Sequence, residues 1–163
     1  MTDANDNHVE QQEKAEDVKK RLEREHTELL HELRSLIPGA EVLLGFLLAV
    51  TFTNKFAELD DTQRYVYYGT LVSTAVALVL YLAPAAYHRL RFREGDKDYM
   101  LRKANREAIA GTFFSALALT GVLYLVTSFV FGPDEAVGAA LVFFAFAAWR
   151  WWSHAIYRDL RGR

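Results

Sequence analysis

The 163-residue chain has no cysteine, so disulfides, thiolate nucleophiles and cysteine-ligated metals are excluded. It also lacks an HExxH pair, a glycine-rich phosphate loop and a nucleophile elbow, and no apolar run holds a pair of carboxylates. On that ground the chain reads as non-enzymatic. His26 and His31 stand five apart, off the three- or four-residue spacing that puts two imidazoles on one helical face, so no metal or other cofactor is expected. The first 36 residues contain no apolar core of the signal-peptide kind, which leaves the first apolar run to act as its own targeting signal. Proline is rare: Pro38, Pro84 and Pro133 are the only three, each near an end of an apolar run.

What the chain does have is four apolar runs, at roughly 39–56, 65–87, 108–131 and 136–156. A helix needs about 20 residues to cross a hydrocarbon core of roughly 30 Å, and each run is near that length. The runs 65–87 and 108–131 carry no charge at all. The expected fold is therefore all-α, a polytopic membrane protein with a bundle of four transmembrane helices. A composition that is 52% hydrophobic hides this, because residues 1–36 are mostly polar and offset the rest. Two regions follow: a charged leader and amphipathic helix over 1–36, and a four-span membrane domain over 37–163.

Basic residues set the expected orientation. The segment 88–107 carries Arg89, Arg91, Arg93, Lys97, Arg102, Lys103 and Arg106, whereas 54–64 carries only Lys55 and Arg64, and 132–135 carries none. By the positive-inside rule both termini and the 88–107 loop face the cytoplasm of a plasma (inner) membrane. Acidic Glu58, Asp60, Asp61, Asp134 and Glu135 fall on the other side.

Within the leader, Ala15, Val18, Leu22, His26, Leu29, Leu33 and Leu36 recur at three- and four-residue spacing. That narrow stripe fits a membrane-surface helix or a short coiled coil between protomers. Glu10–Lys14, Glu16–Lys20 and Asp17–Arg21 are favourably ordered pairs along it. Pro38-Gly39 is expected to break the helix at the membrane surface, and Pro84 to end the second span. Asp60 or Asp61 can cap the second span, and Tyr65, Tyr67 and Tyr68 suit an aromatic belt. Trp149, Trp151 and Trp152 suit the opposite belt. Small residues at a stride of four, Gly69, Ser73 and Ala77 in the second span and Ala108, Thr112, Ala116 and Thr120 in the third, mark expected helix contacts.

Ionisable groups inside apolar spans are the candidate functional residues. Glu41 is expected about 7 Å inside the cytoplasmic end of the first span and Arg150 about 9 Å inside that of the fourth. Their matched depths predict an intramembrane ion pair or a proton or ion site, which His154, one turn from Arg150, can join. His88, Arg89, Arg91 and Arg93 form a basic cluster suited to anionic lipid at the cytoplasmic face. Phe92 and Tyr99 read as interfacial anchors rather than base-stacking platforms, so no nucleic-acid partner is expected. A homo-oligomer and a cytoplasmic or membrane protein partner are both compatible with these surfaces.

The pieces Pro38-Gly39, Gly45-Phe46-Leu47-Leu48, Phe56-Ala57-Glu58-Leu59 and Ala83-Pro84-Ala85-Ala86-Tyr87-His88-Arg89 resemble a family of small four-span membrane proteins of unknown function, found mainly in actinobacteria. The likeness runs from about Glu28 to Ile156. It implies an actinobacterial plasma membrane, and some members carry an automatic label of sodium:proton antiporter. Two functions follow as expectations: a non-enzymatic accessory or scaffold membrane protein, or an oligomeric small-cation or proton transporter that uses Glu41.

Overall fold

A computed structural model describes the backbone of residues 2–90 and 97–161, and the side chains of 16, 17, 20, 21, 24, 25, 27–87, 99 and 101–151. The described residues form five helices, α1 (Thr2–Val50), α2 (Asn54–Ala57), α3 (Asp61–Leu90), α4 (Lys97–Val130) and α5 (Pro133–Arg161). The all-α expectation holds. Among the described residues, three segments are long and apolar enough to cross a membrane: Thr27–Val50, Asp61–Tyr87 and Leu101–Val130.

Two prolines do not act as expected. Helix α1 runs unbroken through Pro38, and α3 continues past Pro84 to Leu90. A proline removes one N–H and restricts its predecessor, but apolar neighbours and the turns on either side can hold the helix together across it. Here Leu33 and Ala40, on either side of Pro38, form one buried cluster with the α3 residues Ala77 and Tyr81, and Ile37 packs against it. The charged leader and the first apolar run are consequently one helix, and its end lies at Val50 rather than at residue 56. A turn over 51–53 and the short helix α2 follow, with Phe56 of α2 set edge-on against Tyr67 at 5.0 Å.

The connections at this end of the molecule follow local rules. Asp60 and Gln63 make a reciprocal capping box: the Gln63 N–H donates to Asp60 Oδ1 at 2.8 Å, and the Asp60 N–H donates to Gln63 Oε1 at 3.1 Å. Between α4 and α5 the chain turns at Gly132, whose φ of +114° suits glycine and strains any other residue. Pro133 then opens α5, with Asp134 and Glu135 in its first turn beside the unpaired N–H groups.

The tightest contact joins α3 and α4. From α3 it uses Thr70 and Tyr81, which lie on a buried face with Tyr67, Thr74 and Ala77, spaced three and four apart. From α4 it uses Gly111, Ser115 and Gly121, and Ala104, Ala116 and Ala118 of the same helix are also buried. Backbones approach closely enough that a Cβ on Gly121 would stand 1.9 Å from Thr70 Oγ1, and one on Gly111 would stand 2.6 Å from the Tyr81 ring. The hydroxyls in this seam are satisfied within their own helices, Thr70 donating to the Val66 carbonyl and Thr74 to that of Thr70. Across the helices, Tyr81 Oη and Ser115 Oγ share a bond of 2.9 Å and Gln63 donates to Ser128 at 3.1 Å. The expected stripe holds at Ala77 but shifts by one position at its start: Gly69 faces open space, and Thr70 is buried in its place. Helix α1 packs on α3 and α4, tied by the Tyr67 hydroxyl donating to the Leu47 carbonyl, and α5 doubles back along α4.

Candidate functional site

Helix continuity relocates the candidate charges. Glu41 lies about 14 Å along α1 from Val50, whereas Arg150 lies about 26 Å along α5 from Pro133. The two are far from level, because the expected depth of Glu41 was counted from a break at Pro38 that does not form. No ion pair joins them among the described residues, and both side chains are exposed. The residue level with Arg150 is Glu32, about 27 Å from Val50.

Arg150 and Glu32 line one open groove of about 450 Å³ between α1, α4 and α5. Its polar lining is completed by Asn105, Thr112 and Trp151, and its apolar wall includes Leu33, Leu36 and Ile109. The Thr112 hydroxyl is already committed to the Ala108 carbonyl at 2.9 Å. Neither Arg150 nor Glu32 takes part in an ion pair among the described residues. Composition alone could not find this site, since Glu32 sits in the charged leader and only the unbroken α1 brings it level with Arg150.

Glu41 stands apart on the exposed face of α1, near Gly45, which also faces open space. Glu107 was not singled out from the sequence, because it borders the apolar run rather than interrupting it. Its Oε2 is buried without a hydrogen-bond partner among the described residues. One turn away, the Lys103 ammonium lies 3.6 Å from the centre of the Tyr87 ring and ties the end of α3 to α4.

The remaining expected site residues lie outside the described side chains: His88, Arg89, Arg91 and Arg93 of the basic cluster, and His154. Trp152 does so too, while Trp149 and Trp151 are exposed as an interfacial belt requires. Of the tyrosines, Tyr65 and Tyr68 are exposed and Tyr67 is buried against α1. On the charged part of α1, Glu16 pairs with Lys20 at 3.0 Å as expected, but Arg21 turns to Glu25 at 2.8 Å instead of Asp17. Glu10 and Lys14 are outside the described side chains. Among the described residues no group of three or more His, Asp or Glu side chains is placed to hold a metal.

These features define a helical protein with three segments, among the described residues, long and apolar enough to cross a membrane, with Glu41 exposed along the first of them and a charged groove at one end. The chain belongs to a family of unknown function, DUF6328, which it matches over residues 15–155. No curated protein and no solved structure matches it.

Proposed function

We propose that this is a multi-pass plasma-membrane protein that works without catalysis, as an accessory or scaffold subunit whose N-terminal helical arm docks other proteins. The observation that carries the reading is the continuity of α1: a charged arm and an apolar crossing segment form one helix. Glu16, Asp17, Lys20, Arg21, Arg24 and Glu28 are all exposed on the arm, so it offers both signs of charge to a partner. A rigid helix passes a load or an orientation from partner to membrane in a way that a hinged one does not.

Helix α5 supplies the fourth crossing in this reading. It is 29 residues long, follows a tight turn, and exposes Val137, Leu141, Val142 and Phe146, side chains that suit lipid. Four crossings put both termini on one side, and the basic residues of 88–107 assign that side to the cytoplasm. The resemblance to four-span actinobacterial proteins agrees with this setting. Purification in mild detergent from cells expressing the chain at native level tests the docking role. A protein partner is expected to co-purify and to be lost when Lys20 and Arg24 are both changed to Glu; recovery of the isolated chain alone contradicts the reading.

A second reading has its own observation. With α1 crossing as a single helix, Glu41 sits near the middle of a core about 30 Å thick. A carboxylate facing lipid there costs at least about 2.5 kcal/mol, which a second copy covering that face, or protonation, relieves. An oligomer with paired Glu41 carboxyls is the arrangement in which this chain can carry protons or small cations. Flux in proteoliposomes under opposed sodium and pH gradients tests it: Glu41→Gln abolishes flux in a variant that still purifies intact, and wild-type flux no greater than that of empty liposomes removes the reading.

A further inference from the structure

We propose that the groove between α1, α4 and α5 is a binding site for a membrane aminophospholipid, phosphatidylethanolamine, with Arg150 on the phosphate and Glu32 on the ammonium. The inference rests on the reading that these helices cross a membrane. Its starting point is a pair of opposite charges that line one groove without bonding each other among the described residues. A ligand that carries both charges a few atoms apart satisfies both side chains at once.

The alternatives fit less well on charge. An anionic lipid such as phosphatidylglycerol satisfies Arg150 but sets its own charge beside the Glu32 carboxylate. Phosphatidylcholine offers a quaternary ammonium with no N–H to donate to that carboxylate. Phosphatidylethanolamine has three such donors and a phosphate that matches the planar fork of an arginine.

Position agrees with chemistry. Glu32 and Arg150 stand about 27 Å and 26 Å along their helices from the opposite ends, within a few ångström of the edge of a core roughly 30 Å thick. Headgroup phosphates lie at that level, and Trp151 beside Arg150 is the residue type enriched there. Leu33, Leu36 and Ile109 line the same groove and give the acyl chains an apolar wall.

The test uses the full chain purified in mild detergent and exposed in turn to phosphatidylethanolamine, phosphatidylcholine and phosphatidylglycerol, with retained lipid read by native mass spectrometry. Wild type is expected to retain phosphatidylethanolamine over both others. Arg150→Gln weakens that retention about tenfold, the scale of one charge-assisted hydrogen bond. Glu32→Gln shifts the preference towards phosphatidylglycerol, a change of selectivity that a loosened or misfolded protein does not produce. Equal retention of the three lipids by wild type, a wild-type preference for phosphatidylglycerol, or an unchanged preference in Glu32→Gln each overturns the proposal. A chain that never enters the membrane fraction defeats the membrane reading beneath it, whereas a membrane-embedded chain without lipid selectivity defeats the site alone.

Discussion

Replacing Gly121 by alanine tests the α3–α4 seam on which the rest of the fold is placed. The added Cβ would meet Thr70 Oγ1 at 1.9 Å and Thr70 Cβ at 3.1 Å. Rotating the threonine removes the first clash at the loss of its bond to the Val66 carbonyl, at 2.7 Å, but the second clash stays because Cβ does not move with χ1. The helices must therefore part by a few tenths of an ångström. Overpacking of this kind costs about 1–3 kcal/mol. Against it stands the gain of about 1 kcal/mol when glycine becomes alanine in a helix. Gly121→Ala is thus expected to lose up to about 2 kcal/mol. Gly69→Ala, with nothing within 4 Å of its added Cβ, keeps the gain alone. Unfolding of the purified chain by denaturing detergent, followed by circular dichroism, measures both. A second change, Thr70→Gly, removes the clashing atoms and should recover part of the loss as a favourable coupling. Equal stability of Gly121→Ala and Gly69→Ala would refute the close approach of α3 and α4.

Other outcomes follow from single contacts. Tyr67→Phe removes the hydroxyl that reaches the Leu47 carbonyl and is expected to cost about 1 kcal/mol in the same unfolding assay, through loosened docking of α1. Ala116→Leu, at a position with no exposed surface, overpacks α4 and should cost about 1–3 kcal/mol. Glu107→Met removes a buried oxygen that has no partner among the described residues, and unfolding should show it neutral or more stable by up to about 2 kcal/mol. Gly132→Ala forces an L side chain into a backbone with φ of +114° and should cost about 1 kcal/mol or more, whereas Gly138→Ala, in open space, should not destabilise.

Apolar length and charge are what the sequence displays directly, and through them the helical fold was readable, although α3 (Asp61–Leu90) and α4 (Lys97–Val130) begin well before the 65–87 and 108–131 runs. The capping at Asp60 was readable for a similar reason, since it is decided by side chains within four residues. Pro38 misled because a proline's local cost is set against packing by residues distant in sequence, here Ala77 and Tyr81 of α3 in one cluster with Leu33 and Ala40. The placement of the candidate charges changes with the break: once α1 is continuous, Glu41 moves towards the middle of its segment and Glu32 becomes level with Arg150. The one-position error at Gly69 has a related cause. Small residues permit close approach, but which of two adjacent stripes is used depends on the partner face, and the bulk of Tyr67 and Tyr81 lies on the stripe of Thr70 and Thr74.

The central claim, four crossings with both termini in the cytoplasm, is open to one clean measurement because the chain has no cysteine of its own. Single cysteines at Glu16, Glu58 and Asp134, and one appended after Arg163, can be labelled in intact cells with a membrane-impermeant maleimide. Labelling of the Glu58→Cys and Asp134→Cys variants from outside, with the Glu16→Cys and appended cysteines protected until lysis, is the expected pattern. Labelling of the appended cysteine together with Asp134→Cys in intact cells would show that α5 does not cross and would contradict the account.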